Sequence, residues 1–233
     1  MLRNAVVLVT GGTGFLGTAM VEAFLQTGSQ VWVNYRSEEK FRQLQQAVGR
    51  ERLHGVQADL TSEKEVKALF AELSSRSGHL DILTHLAGGF WMGGELAETP
   101  LNAMHQMLQM NFLTTFLVTR EAFQRMKSRG SGVIFTVASR TAVEFPAGMG
   151  AYAISKAAVI ALTQTLASEG KAYGIRANVI LPGIIDTPAN RKAMPDADVG
   201  QWTKPEEIAR TIVALSASEA TVNGSLLKMY GRL

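Results

Sequence analysis

Cysteine is absent from the 233 residues, which excludes disulfides and any thiolate metal site. No apolar run approaches the roughly 18 residues that a membrane helix needs. The opening Met1-Leu2-Arg3-Asn4 also lacks the long apolar stretch of a signal peptide. The expectation is therefore a cytoplasmic protein with no membrane partner. Excess charge is scarce as well: 23 Lys and Arg against 20 Asp and Glu leave a formal +3. The basic residues are scattered, so nucleic acid is not an expected partner. The four histidines, His54, His79, His85 and His105, show no ligand spacing, and no metal site is expected. No repeat, low-complexity segment or linker divides the chain. What is present is apolar side chain, at 46% of residues, enough for a substantial core in a single domain spanning residues 1–233.

Apolar strand-like runs alternate with helical ones. Strands are expected at Val6–Thr10, Val31–Tyr35, His54–Gln57, Ile82–Leu86, Gly132–Ala138, Arg176–Leu181 and Leu226–Met229. Helical periodicity covers Ala19–Leu25, Lys64–Ser75, Met104–Lys127 and Ala153–Ala172. Such alternation predicts a parallel, doubly wound α/β sheet with helices on both faces. Ligand should lie beyond the carboxyl ends of the strands.

The first strand runs into Gly11, Gly12, Thr13, Gly14, Phe15, Leu16 and Gly17, and then into a helical pattern that stops at Gly28. A Gly-x-Gly-x-x-Gly run between strand and helix is the context of a dinucleotide-binding, Rossmann-like turn. Glycines let the backbone approach a pyrophosphate, whose charge sits at the helix N-terminus. The second strand ends in Asn34-Tyr35-Arg36-Ser37, where an NAD-binding fold usually carries an acid. No carboxylate opposes a 2′-phosphate there, and Arg36 can clamp one through two parallel bonds with Ser37 adding a hydroxyl. This favours NADP(H) over NAD(H). The plainer alternative makes Arg36 a solvated cation paired with Glu38 or Glu39.

Tyr152 and Lys156 stand four apart in Ala151-Tyr-Ala-Ile-Ser-Lys156, on one face of an expected helix. A cation beside a phenol favours the phenolate, so Lys156 is expected to lower the Tyr152 pKa and make it a general acid or base. Ser139 closes the strand Gly132–Ala138 and presents a hydroxyl at its carboxyl end.

Together these residues resemble the short-chain dehydrogenase/reductase family, and the resemblance covers essentially the whole chain. It implies a catalytic set in which Asn111 and Ser139 join Tyr152 and Lys156. It also implies adenine contacts from Asp59 and Leu60, a loop at Ala87-Gly88, and a nicotinamide-side loop at Pro182 and Gly183 with Ile185 and Thr187. A homotetramer or dimer follows from the same resemblance. The family's Asn-Asn before Ala87 is replaced by His85-Leu86, so the hydrogen bonds linking the strands there must be made otherwise. The spacing Gly11-x-x-Gly14-x-x-Gly17 is more like the family's extended branch, whereas the length argues for the compact one. A narrower resemblance, to quinonoid dihydropteridine reductases, lies in Asp186–Asp198 with Trp202 beyond, in Gly224–Leu227 and in Ala87-Gly88-Gly89.

The mechanism so implied is hydride transfer between NADP(H) and a small carbonyl or alcohol substrate, with Tyr152 as proton donor and Ser139 holding the substrate oxygen. Lys156 would tune Tyr152 and grip the nicotinamide ribose, and Asn111 would support a water path. A dihydropteridine reductase is the alternative enzyme, and a non-catalytic NADP(H) sensor the alternative of another class. Phe90, Trp91, Met92, Phe145, Met149, Met194 and Trp202 are the expected apolar pocket, and Arg191–Gln201 the expected lid.

Overall fold

The computed structural model describes residues 2–232. One parallel sheet carries all seven strands in the order β3-β2-β1-β4-β5-β6-β7. They are β1 (Val6–Thr10), β2 (Gln30–Tyr35), β3 (Leu53–Gln57), β4 (Ile82–His85), β5 (Gly132–Val137), β6 (Ile175–Pro182) and β7 (Leu226–Met229). Each lies within a residue of its expected bounds. The helices are α1 (Phe15–Gln26), α2 (Glu38–Val48), α3 (Glu63–Ser77), α4 (Leu101–Met107), α5 (Thr114–Arg129), α6 (Thr141–Glu144), α7 (Gly150–Gly170), α8 (Pro188–Ala193) and α9 (Pro205–Leu215).

Strand β1 shows why the sheet is covered on both faces. All five of its residues are buried, and their side chains alternate between two cores. Val6 and Leu8 pack with Leu69, Phe70, Leu117 and Val118 from α3 and α5. Val7 and Val9 pack with Met20, Phe24, Phe41 and Ile208 from α1, α2 and α9. Because β1 neighbours both β2 and β4, the crossovers leave it in opposite directions, and the carboxyl end between β1 and β4 is the cleft where ligand can enter.

The expected helix over Met104–Lys127 is a longer run with a wider turn inside it. Between α4 and α5, Leu108–Leu113 forms a π turn that carries Asn111 inward, where it is fully buried. Such turns are frequent at functional sites, because the extra residue re-aims a side chain that helical spacing would send elsewhere. Periodicity alone does not reveal it.

The strand link left open by His85 is made by its imidazole. Nδ1 of His85 shares a hydrogen bond of 2.8 Å with Thr10 Oγ1, joining the ends of β4 and β1 beneath the glycine turn. Burial, and less strongly the Lys156 charge, hold His85 down to about 3, so the ring is neutral at any physiological pH.

Candidate active site

The glycine turn is shaped by contacts that admit no side chain. Gly11 adopts a positive φ of 67°, and a Cβ there would stand 2.9 Å from the Ala87 amide nitrogen. A Cβ on Gly17 would collide with Gly11 O and Gly12 Cα, so α1 can start tightly against the turn. Gly14 N donates to Gly11 O at 3.0 Å, and Gly14 caps α1 without any side-chain acceptor. The first amides of α1 thus face the cleft with no side chain capping them, which suits an anion. Thr13, exposed Phe15 and half-buried Leu16 sit at this helix start.

Asn34 serves the turn from inside. Its Oδ1 accepts from Gly11 N at 3.0 Å and its Nδ2 donates to Ala58 O at 3.3 Å, so it joins the ends of β1, β2 and β3. Arg36 lies exposed beyond it. Both carboxylates proposed as its plain partner are engaged elsewhere: Glu38 pairs with Arg42 at 3.4 Å, and Glu39 accepts from Gln43 Nε2 at 3.3 Å. Ser37 caps α2 by accepting from Lys40 N at 3.4 Å. Asp59 is held below the usual carboxylate range by the Thr61 amide and hydroxyl and, less, by the Arg36 charge. Asp59 and Arg36 therefore share this end of the cleft, while the Leu60 side chain belongs to the core and offers the cleft only backbone.

The other end gathers the four expected catalytic residues. Asn111 Oδ1 accepts from Gly89 N at 2.8 Å, and Asn111 Nδ2 donates to Gly89 O at 3.1 Å and to Ser155 Oγ at 3.0 Å. Ser155 Oγ in turn donates to Tyr152 O at 2.7 Å. The Ala87–Gly89 loop, the π turn and the first turn of α7 are thereby one connected network. Ser155 was not foreseen as a site residue, although its position three after Tyr152 on the same helix face was the available signal. A Cβ on Gly88 would stand 2.6 Å from Asn111 Oδ1 and 3.2 Å from Lys156 Nζ, which places Gly88 directly over both.

Ser139 lies two residues beyond Val137, the last residue of β5. Its Oγ accepts from Thr141 N at 3.2 Å and from Thr141 Oγ1 at 2.9 Å, which leaves its own proton free to donate to another group. Burial raises the Tyr152 pKa above its ordinary value, and a hydrogen bond with Ser139 opposes that rise. This corrects the expectation that Lys156 lowers it. The Lys156 ammonium bends down to donate to Val137 O at 2.9 Å, at the end of β5, and it does not set the Tyr152 charge in the protein chain itself. Both groups are protonated near neutrality, which suits a proton donor.

Burial pulls Lys156 down to about 8 from its ordinary 10.5. The unfolded chain then holds more protons than the folded one between those two values. The charged form costs stability below pH 8, and that cost is relieved as the pH rises through the window. Wild type should therefore gain in unfolding free energy relative to Lys156→Met between about pH 7.5 and pH 10. Urea denaturation of both proteins at both pH values measures this, and a constant or shrinking difference would contradict the buried ammonium.

The third loop closes the site. Pro182 O accepts from Arg140 N at 2.9 Å, and Gly183 N donates to Met229 O at 2.8 Å. Ile185 bridges to Thr203, and its carbonyl accepts from Asn190 Nδ2 at 2.8 Å. Thr187 caps α8, accepting from Asn190 N at 3.2 Å. The stretch expected as a lid begins within α8 and ends in the short turn Val199–Gln201. Among the apolar side chains expected to line a pocket, Trp202 is buried, whereas Phe90, Met92 and Phe145 are each 61% exposed.

The sheet, the glycine turn and the Asn111–Ser139–Tyr152–Lys156 cluster define a nucleotide-dependent oxidoreductase of the short-chain type. The family model described as short chain dehydrogenase matches residues 5–198, and the chain belongs to that family. It is 33% identical to an L-fucose dehydrogenase of Mus musculus, covering 97% of this chain and 90% of the relative. It is 30% identical to a 2-(R)-hydroxypropyl-CoM dehydrogenase of Xanthobacter autotrophicus, covering 98% of both. A solved structure described as ElxO with NADP bound superimposes with a TM-score of 0.91, at 26% identity and 98% coverage of both chains.

Proposed function

We propose that this oxidoreductase transfers a hydride reversibly between NADP(H) and a carbonyl or alcohol substrate, with Tyr152 as the proton donor. The observation that carries this reading is the cluster at one end of the cleft, where Ser139 is close enough to the half-buried Tyr152 to oppose the rise in its pKa and Lys156 lies one turn away. The NADP bound by a structural relative and the exposed Arg36 support the choice of cofactor. The cleft fits the dinucleotide: the glycines leave no side chain over the turn, and the first amides of α1 suit a pyrophosphate.

When bound, the nicotinamide supplies the hydride and is oxidised as the carbonyl carbon becomes an alcohol carbon. Ser139 donates to the substrate oxygen, and Tyr152 gives that oxygen its proton. Charge develops on the oxygen only during transfer, so both hydroxyls act mainly on the transition state. Lys156 sits between Val137 O and Gly88, where it can hold a ribose hydroxyl and return a proton towards Tyr152. Asn111 keeps the Gly89 loop in register with α7.

A second reading, a quinonoid dihydropteridine reductase, is favoured by the likeness in Ala87-Gly88-Gly89 and Asp186–Asp198. Ser139→Ala separates the two. For a simple carbonyl, the developing oxyanion loses one donor, costing roughly 2–4 kcal/mol of barrier. For a quinonoid dihydropterin the same change should matter little. Steady-state NADPH oxidation with diketones, 3-oxoacyl thioesters and quinonoid dihydropterin, in wild type and this variant, decides between them. NADPH binding with no oxidation by any acceptor would leave a sensor instead. Among the described residues no helix is long and apolar enough to cross a membrane, which is compatible with a cytoplasmic enzyme. A homotetramer or dimer through α4, α5 and α7 is the assembly we propose.

A further inference from the structure

The segment from Gly89 to Gly93 crosses the site with both ends pinned. At one end Asn111 holds both the N–H and the C=O of Gly89, at 2.8 and 3.1 Å. At the other, Gly93 N donates to Gly148 O at 2.9 Å, tying the segment to the loop before α7. Between these anchors stands Phe90, whose ring lies 5.0 Å from that of Tyr152, centroid to centroid, at 73°. This is the separation and near-perpendicular arrangement that aromatic pairs favour. Yet Phe90 remains 61% exposed, beside the proton donor.

Exposed apolar surface is unfavourable in water, and a contiguous patch at a reactive centre marks a ligand-binding wall. Met92 at 61%, Leu96 at 60% and Phe145 at 61% are also exposed, the first two within six residues of Phe90 in the chain. Phe145 is also held at a positive φ of 50°, a conformation rare for a bulky residue and concentrated at functional sites. Charge on this side is neutralised internally. Arg140, next after Ser139, gives its Nε to both oxygens of Glu144 at 2.8 and 2.7 Å. Arg191 engages both oxygens of Asp186 at 2.6 and 2.8 Å. A substrate carboxylate or phosphate would meet guanidinium charge that a carboxylate already compensates.

We infer that Phe90 is a specificity-determining residue, and that the substrate is an uncharged compound whose reacting carbonyl is attached to a planar, apolar ring. The ring lies against Phe90 while the carbonyl oxygen meets Ser139 and Tyr152. This rests on the carbonyl-reductase reading above and goes further by naming the substrate class.

The probes are 1-phenyl-1,2-propanedione and 2,3-butanedione, which offer the same reacting diketone with and without the ring. Wild type should favour the phenyl compound in kcat/KM by roughly tenfold or more, the scale of an apolar contact in a pocket. In Phe90→Ala that ratio should fall about tenfold, and in Phe90→Trp it should be largely restored, because the indole renews the wall. Phe90 is exposed, so neither change should impair folding. Equal kcat/KM for the two diketones in wild type, or an unchanged ratio in Phe90→Ala, would overturn the inference while leaving the reductase reading intact. An unchanged ratio with an altered subunit count on size-exclusion chromatography would assign the wall to a second copy of the chain instead. If neither diketone is reduced but a 3-oxoacyl thioester is, this inference falls and the reductase reading stands; if no acceptor is reduced, both fall.

Discussion

Tyr152→Phe will bind NADPH as wild type does yet lose about a hundredfold or more in turnover, the usual scale for a positioned proton donor. The substitution removes one hydroxyl and keeps the ring. Its packing against Phe90, at 5.0 Å, is therefore preserved. The Ser155–Tyr152 bond uses a backbone carbonyl and also survives, as does the Lys156 bond to Val137 O. What disappears is the proton that must reach the substrate oxygen as the hydride arrives. Cofactor titration by fluorescence and single-turnover NADPH oxidation test the two halves separately. Near-normal turnover would remove Tyr152 from the acid role, and lost cofactor binding would make its role structural.

Arg36→Asp will reverse the nucleotide preference. Arg36 is exposed beside Asp59, with Glu38 occupied by Arg42. Charge-assisted hydrogen bonds to a 2′-phosphate contribute about 1.5–3 kcal/mol, so wild type should favour NADPH over NADH by roughly one to two orders of magnitude. Aspartate removes those bonds, repels the phosphate and offers an acceptor to the ribose hydroxyls of NADH. The swing in relative kcat/KM should thus exceed either effect alone and reach about two orders of magnitude or more. Measuring kcat/KM for both cofactors in both proteins decides it. Equal values in wild type, or an NADH preference, would defeat the assignment and favour the dihydropteridine-reductase reading.

The local features were legible because they depend on neighbours in sequence. The continuous apolar run in Val6–Thr10 reports a strand buried on both faces, since successive side chains point to opposite faces and both must then be apolar. The glycines after it report a turn in which Gly11 and Gly17 have no room for a Cβ. Ser139 at a strand end, and Tyr152 and Lys156 one turn apart, follow from the same short-range periodicities. These signals, joined by the family likeness, define the short-chain dehydrogenase fold to which the chain belongs.

Other features were settled by elements far apart in sequence. Helical spacing puts Lys156 beside Tyr152, but the ammonium takes Val137 O, a carbonyl supplied by β5. Burial then raises Tyr152, whose environment is assembled from several loops. The amide of Asn111 reaches Gly89 and Ser155 only because a π turn re-aims it. His85 replaces an expected asparagine by finding Thr10, 75 residues earlier. The sequence by itself determined the strands and the glycine turn, because each is written in spacings of two, three or four residues. The tertiary structure alone decided which partner each polar group takes and what charge it carries. Hydrogen bonding and desolvation depend on what packs nearby, and in this fold those neighbours come from distant strands and loops.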